Sequence, residues 1–583
     1  MMPALLPDKC TVLQVDPANH NRLRQFETGI ASACMENRWF KNAIIYSIEV
    51  DTFRDGNGDG IGDFIGLRES LSYLAGFGIT CVWLLPFYNS PDRDDRYDVT
   101  DYLSVDPHLG DLGDFADFMA KANDLGIRVI IDLVVNHTSD QHPWFQAARR
   151  NHPKYHDYYV WRTDDPGDTS DQAAFPGKQS GVWTFDELAK AYYFHRFYSY
   201  QPDLNTANPA VRNEIKKIMG FWLALGVSGF RVDAAPFVIA QKGPNAPKQP
   251  HESFDYLDEF HDFLSWKTGD AILLAEANVA PNDILNYFGS RGQRMTMVIN
   301  FFVNPHLFLA LAQQSPEPIQ RALRQLPQIP RHSHWAYFLR NHDELDLSRL
   351  SQSERAICFR AFGAKPKMQI FQRGIRRRLA PMVGGRLELQ LLLYSLIFTI
   401  PGTPILWYGE EIGMGDALGL EERNSVRTPM QWTADLNAGF SLTDPSKLFR
   451  PVIDKGPYSY RKVNVQALRR DPGSLLNHLE RMIRTRKEYP EFGTGTYRLL
   501  ETSEPNKIFA HSCQDENGNA VIAVHNLTPK PTKVTIELWE KAFDHFVHLF
   551  DQLPNEKIKN AEIKLELPGF GFSWLRLRQK NQI

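Results

Sequence analysis

Residues 229–236 read Gly-Phe-Arg-Val-Asp-Ala-Ala-Pro. A short apolar run that closes on charged residues is the signature of a parallel strand buried on both faces whose last residues open onto a mouth. Three more stretches share that build: DLVVNH at 132–137, LLAEAN at 273–278 and FLRNHDE at 338–344. Extending the search outward gives eight apolar, β-branched-rich runs, at 43–50, 80–86, 128–135, 229–233, 272–276, 295–302, 335–339 and 404–408. Segments with helical periodicity lie between them, among them 67–77, 112–125, 209–225 and 253–267. Asn208-Pro209 reads as a cap followed by proline at the first helical position. Eight strands alternating with helices predict an α/β fold, a (β/α)8 TIM barrel.

The spacing has one wide gap, between the third and fourth runs, filled by a stretch rich in Tyr, Trp, Asp and Gly. An inserted subdomain is expected there. From about Glu491 the pattern changes to alternating or apolar runs, IFAHSC, AVIAVHNL, KVTIEL and SWLRL, separated by turn residues, which predicts a C-terminal antiparallel β-sandwich. The expected division is an N-terminal extension (1–36), a barrel (37–137 and 200–490), an inserted subdomain (138–199) and a sandwich (491–583). The most apolar stretch, 389–408, is broken by Pro401, Gly402 and Pro404, which suits a buried helix followed by a strand better than a membrane span.

Composition narrows the function classes. The 583 residues carry 65 Lys and Arg against 69 Asp and Glu, and 65 − 69 = −4 argues against a nucleic-acid footprint or a polybasic membrane face. An uncharged substrate fits this balance. Cys10, Cys34, Cys81, Cys358 and Cys513 are odd in number and scattered without a CxxC pair, so a reducing compartment is expected rather than a disulfide framework or a zinc site. The first twenty residues lack a basic start followed by an apolar run, and the expected location is cytoplasmic.

In a barrel of this kind chemistry sits at the C-terminal ends of the strands. Those ends carry Asn136 and His137 on the third run, Arg231 and Asp233 on the fourth, Glu276 on the fifth, and His342 and Asp343 on the seventh. Burying a carboxylate is costly, so three converging ones imply chemistry that uses their different protonation states. Cleavage of a glycosidic bond has that requirement, because one carboxylate attacks, a carboxyl of raised pKa donates a proton, and nearby negative charge stabilises an oxocarbenium-like transition state. Arg231, two residues before Asp233 on the same strand face, is placed to orient the nucleophile. A catalytic zinc pair lacks an HExxH motif or a close ligand cluster to support it.

A second feature is DGNGDGIGD, 55–63. Asp55, Asn57 and Asp59 alternate oxygen ligands, Gly60 permits a sharp turn, the Ile61 carbonyl contributes and Asp63 closes the loop, as in the first nine positions of an EF-hand. The twelfth position is Gly66 rather than Glu. A structural Ca²⁺ is expected, the alternative being a glycine-rich turn with solvated carboxylates; no organic cofactor is indicated.

The four strand-end segments, with QPDLN at 201–205 between the third and fourth strands, resemble in order the signature segments of the α-amylase superfamily of retaining glycoside hydrolases, over about residues 38–580. The resemblance implies Asp233 as nucleophile, Glu276 as general acid/base and Asp343 as transition-state stabiliser, with Arg231, His137 and His342 lining the subsite of the cleaved sugar. The 55–63 loop is similar to the calcium loop of the oligosaccharide-processing branch. RDDRYDVTDY (93–102) resembles the wall of the same subsite, with Tyr97 as stacking platform and Asp94 as hydroxyl acceptor. VRTPMQW (426–432) resembles a segment in which Arg427 closes over the sugar.

Within the superfamily the chain looks most like the trehalose synthase branch, which interconverts maltose and trehalose by moving a glucosyl unit inside a closed pocket. WFKNAIIY, LPFYNSPDRDD, NHTSDQHPWF, YFHRFYSYQPDLN, FLRNHDELDL, GIRRRLAP and YGEEIGMGD carry that likeness. It implies that GIRRRLAP, 374–381, belongs to a lid beside the active site. Two departures, GFRVDAAPF where the branch has GLRLDAVPY and a shorter insertion around 175–191, leave a hydrolytic α-1,4-glucosidase or α-amylase-type enzyme as the alternative. A non-catalytic sugar-binding relative would lack one of the acids, and this chain keeps all three. The expected partner is a small α-glucoside: maltose, trehalose or a malto-oligosaccharide.

Overall fold

Residues 45–48 open a ring of eight parallel strands in the computed structural model, which describes residues 38–242, 253–550 and 556–579. The chain divides into a short N-terminal unit, residues 1–40, and a body, residues 41–583. The expected N-terminal extension, with Cys10 and Cys34, lies outside the described residues.

The barrel strands are β1 (Ile45–Ile48), β2 (Cys81–Leu84), β3 (Arg128–Leu133), β4 (Gly229–Val232), β5 (Ile272–Ala275), β6 (Met297–Ile299), β7 (His334–Phe338) and β8 (Thr403–Trp407). They pair in sequence order and the ring closes where Ile45 faces both Cys81 and Ile405. Each lies inside or across one of the eight apolar runs, because a strand buried on both faces draws most of its residues from apolar types. The strands are shorter than most runs. Asn136, Asp233 and Glu276 stand just past the last paired residues of their strands, and His342 a few residues beyond β7, which places their side chains at the C-terminal mouth.

The helices show why the registers hold. α1 (Phe64–Phe77) starts where the Asp63 carboxylate accepts from Gly66 N and stops at Gly78, whose φ of 99° suits a left-handed cap. α2 (Leu112–Asp124) begins with a capping box between Asp111 and Asp114. α3 (Pro209–Ala224) has the expected Asn208 cap and leading proline, and α4 (Asp255–Lys267) follows β4. α5 (Leu387–Thr399) is buried nearly all round. One flank meets β8 and the other the C-terminal domain, where Ser395 bonds the His525 ring and the Trp574 indole at 2.8 Å each, and the Thr399 carbonyl accepts from His511 Nε2 at 2.9 Å.

Between β3 and β4 the chain builds a small antiparallel sheet from Trp161–Arg162, Ala191–Phe194 and Trp183–Asp186, sealed by Val160, Val182 and Phe194. After β7, Leu345–Asp346 joins the hairpin Gln369–Ile370 and Gly374–Ile375 in a second small sheet. The C-terminal domain packs a six-stranded antiparallel sheet against the pair Thr532–Glu537 and Glu562–Leu567. Ile508, Ala510, Ile522 and Val524 from one sheet share a core with Val534, Ile536, Ile563 and Leu567 from the other, the sandwich that the sequence predicts. Among the described residues no helix is long and apolar enough to cross a membrane.

Candidate active site

At the centre of the mouth the Arg231 guanidinium carries three carboxylates. Its terminal nitrogens lie 2.5 Å from Asp233 Oδ1, 2.8 Å from Asp132 Oδ1 and 2.9 Å from Glu276 Oε2. Parallel pairing sets Asp132 on β3 opposite Arg231 on β4, so the pair is built into the barrel register. The floor beneath is the Trp83 ring from β2, 5.3 Å from the guanidinium carbon. After Asp233 the backbone turns sharply, with Ala234 at φ 47°, and the Ala234 amide donates to Glu276 Oε2 at 2.9 Å. A side-chain-bearing residue keeps left-handed backbone only where its surroundings over-determine it, and here the turn links nucleophile and acid candidates.

Asp343 comes from the opposite rim. Its Oδ1 meets Arg423 at 3.1 Å and Arg427 at 3.2 Å, and His342 Nε2 lies 3.3 Å from Oδ2. Tyr97 donates its hydroxyl proton to Asp132 at 3.1 Å and lies 3.0 Å from His342 Nε2, its ring parallel to the imidazole. His137 donates from Nε2 to the Tyr97 carbonyl at 3.1 Å. His342 Nδ1 is buried with no protein partner, a polar atom free for a ligand hydroxyl.

Electrostatics sorts the three acids. Burial pushes the Asp233 carboxyl up to about 6, with Asp132 and Asp343 adding and Arg231 opposing. Burial lifts Glu276 further, to about 7, with Asp233 and Asp343 contributing and Arg231 opposing. Burial also acts to raise Asp343, but the charges of Arg423 and Arg427 outweigh it and hold this carboxyl below the usual range. The mouth thus offers a fixed anion, Asp343, and two carboxyls raised by burial, Glu276 more than Asp233. His137 and His342 are pulled down by burial to about 4 and about 3 and are neutral.

Every candidate from the strand ends therefore meets at one mouth: Asp233, Glu276, Asp343, Arg231, His137 and His342, with Tyr97. Asp94 stands to one side, accepting from Gln201 at 2.8 Å, and burial with its neighbour Asp95 pushes it up to about 7. Arg427 is 1% exposed, its guanidinium committed to Asp95, Asp343 and the His342 carbonyl. The arginines of 374–381 serve as pins: Arg376 bonds Ser425 and the Leu420 carbonyl, Arg377 pairs with Asp416 at 2.9 Å, and Arg378 bonds the Tyr408 carbonyl and Glu410. They brace the segment that delivers Arg423 and Arg427.

Sequence reasoning missed Asp132, Asp95, Arg423 and the buried pair of Arg450 with Glu49 at 3.0 Å. Asp132 had a signal, a charge inside an apolar run opposite another such charge. Asp95 and Arg423 had only their nearness to Asp94 and Arg427.

The 55–63 loop lies apart from this mouth, seated on residues 440–449 through Asp55 N to Phe440 O and Phe449 N to Gly60 O. Gly60 has φ 104°, and a Cβ there would stand 2.3 Å from the Lys447 carbonyl oxygen. The donor set of three carboxylates, an amide and a carbonyl suits a hard dication. The carboxylates are also engaged by the loop's own amides: Asp55 by Gly58 and Gly60, Asp59 by Ile61, and Asp63 by Gly56, Asn57 and Gly66. Among the described residues no three His, Cys, Asp or Glu side chains converge as metal ligands.

Comparison with known proteins agrees with this geometry. The family model "Alpha amylase, catalytic domain" matches residues 47–364 and 375–495. The trehalose synthase/amylase of Mycobacterium tuberculosis is 39% identical over 546 residues, covering 92% of this chain and 90% of that protein. The trehalose synthase/amylase of Mycolicibacterium smegmatis is 40% identical and covers 93% of each. Among solved structures, an α-amylase from H. orenii superposes with a TM-score of 0.73 at 26% identity, covering 92% of this chain and all of that one.

Proposed function

Because the chain belongs to the α-amylase catalytic-domain family, we propose that its three convergent carboxylates transfer glucosyl units and that it interconverts maltose and trehalose. The observation that carries the reading is the convergence of three buried carboxyls on cations, Asp233 and Glu276 on Arg231 and Asp343 on Arg423 and Arg427. Relatives near 40% identity over nine-tenths of the chain, which bear the name trehalose synthase/amylase, support the substrate pair.

In this mechanism the Asp233 carboxylate attacks the anomeric carbon while Glu276 protonates the departing glycosidic oxygen. The C–O bond to the second glucose breaks and a glucosyl ester to Asp233 forms. Arg231 holds both side chains, which keeps them near each other, as retaining enzymes need (about 5–5.5 Å between carboxyls). Asp343, kept anionic by two arginines, faces the positive charge that develops on the sugar ring. Glu276, now ionised, then takes a proton from the attacking hydroxyl while the hydroxyl oxygen bonds the anomeric carbon and the ester bond to Asp233 breaks, which frees the carboxylate. If that hydroxyl is the anomeric one of the retained glucose, trehalose forms; if it is water, glucose is released. Arg231, Tyr97, His137 and His342 position the sugar.

We place a structural Ca²⁺ at Asp55, Asn57, Asp59, the Ile61 carbonyl and Asp63, where it would neutralise a loop of three carboxylates. A reducing, cytoplasmic setting is supported by the free buried thiols Cys81, Cys358 and Cys513.

The test is incubation with maltose while trehalose and glucose are resolved over time. Trehalose accumulating ahead of glucose is expected, and glucose alone rejects the isomerase reading in favour of an α-glucosidase. Asp233→Asn should abolish both products while the protein stays folded.

A further inference from the structure

The family match stops at residue 364 and resumes at 375, so it passes over the hairpin whose turn carries Phe371 and Gln372. Both residues hold left-handed backbone, φ 52° and 59°, which two consecutive side-chain-bearing residues keep only when something else fixes them. What holds Phe371 is an aromatic stack. Its ring lies 4.8 Å from that of Phe175 in the segment inserted between β3 and β4, the planes 27° apart. The Arg423 guanidinium sits over both rings, at 5.0 Å and 5.4 Å, while the same group binds Asp343 and Glu344.

The stack is braced on each side. Arg373 donates to the Ala174 carbonyl at 3.1 Å and pairs with Asp346 at 3.4 Å. Tyr198 and Lys178 both reach Glu422, next to Arg423. Phe175 continues through Phe197 to His137, so the aromatic wall runs from the hairpin to the sugar subsite. Phe371 and Phe175 are each only 5% exposed, although both lie in connecting segments.

The sugar being transferred must sit on the barrel floor, over Trp83 and Arg231, so the rest of the substrate points away from the floor and toward these loops. We propose that Phe371 is a specificity-determining residue: stacked with Phe175 and Arg423, it closes the pocket beyond the scissile bond, leaving room for one further glucose unit and selecting disaccharides over longer malto-oligosaccharides. The same closure would keep the released glucose beside the glucosyl ester and water out. The proposal rests on the α-glucoside reading of the site.

The experiment measures kcat/KM for maltotriose and for maltose as substrate loss, and reads their ratio in wild type, Phe371→Gly, Phe371→Ala and Phe371→Tyr. Glycine removes the ring and accepts the positive φ, alanine removes the ring alone, and tyrosine restores a ring. The ratio should rise by about tenfold or more in F371G and F371A and stay at the wild-type value in F371Y. A purely structural role would lower both substrates alike and leave the ratio unmoved. A ratio that changes by less than about twofold in folded F371G and F371A overturns the proposal. Should neither variant show a cooperative melt, the same ratio and limits apply to Arg373→Ala, which frees the hairpin from the Ala174 carbonyl. Wild-type protein that consumes neither sugar refutes the α-glucoside reading and this proposal with it, whereas active wild type with an unmoved ratio refutes this proposal alone.

Discussion

The pH profile of kcat/KM should be a narrow bell. The proposed roles need Asp233 ionised and Glu276 protonated, and the structure puts these carboxyls at about 6 and about 7. The productive form vanishes as pH falls through the first value and as it rises through the second. With the groups one unit apart, roughly 60% of the enzyme is productive near pH ~6.5 and about 9% at either pH ~5 or pH ~8. Activity should therefore drop about sevenfold on moving about 1.5 units either way. The two acids interact, so the limbs belong to the pair. Glu276→Gln separates them. With α-glucosyl fluoride, whose leaving group needs no proton, this variant should lose the alkaline limb and keep the acid one. An alkaline limb that survives in E276Q, or an acid limb near the ordinary aspartate value of about 4, would refute the assignment of acid and nucleophile.

Arg427→Met removes a buried cation shared by Asp95 and Asp343, whose side chains are 14% and 17% exposed. Leaving carboxylates unpaired should cost about 3–5 kcal/mol in urea unfolding at neutral pH, and a loss under about 1 kcal/mol would contradict the network. Asp95 is held below its usual value although burial acts to raise it, with Arg427 and Arg450 responsible. Its contribution is present above the unfolded aspartate pKa and should fade as pH falls below about 4. A chelator should lower the melting temperature, added Ca²⁺ should restore it, and Asp59→Ala should remove the response; a melt indifferent to both additions argues against a bound ion. His511, buried between the C-terminal sheet and α5, is pulled down by burial to about 4. The unfolded chain protonates first as pH falls from about 6.5, so stability is lost between there and about 4. His511→Gln should flatten that loss by at most about 1.4 kcal/mol per pH unit, measured by denaturant titration across the window.

The barrel was legible because burial on both faces forces apolar runs, and eight such runs in order leave few alternatives. The strand-end acids were legible for the opposite reason: Asp233 and Glu276 follow directly on runs where nothing polar belongs. What the sequence hid depends on long-range closure. Arg427 reaches Asp95 across 332 positions and Arg450 reaches Glu49 across 401, and no local pattern encodes either pairing. The three consecutive arginines at 376–378 show no partners in the sequence, and the structure gives them five: Ser425 and Leu420 for Arg376, Asp416 for Arg377, and Tyr408 and Glu410 for Arg378. A charge run says that anions are near and leaves open which ones.

Those hidden pairings bear on the choice between isomerase and hydrolase. In the proposed mechanism both reactions share the glucosyl ester on Asp233 and part only when sugar or water attacks it, so the carboxylates cannot decide the outcome. The deciding elements are the loops above them, and here these are cross-tied: Arg376, Arg377 and Arg378 pin the 408–425 region, that region presents Arg423, and Arg423 joins Asp343 to the Phe175–Phe371 stack. A side chain that both binds Asp343 and supports the Phe175–Phe371 stack couples closure to catalysis if these groups have the proposed roles. Loosening the wall should then admit water and weaken Asp343 together, so a variant that leaks glucose should also turn over more slowly. Leakage with undiminished turnover would show that the wall and the carboxylate act separately.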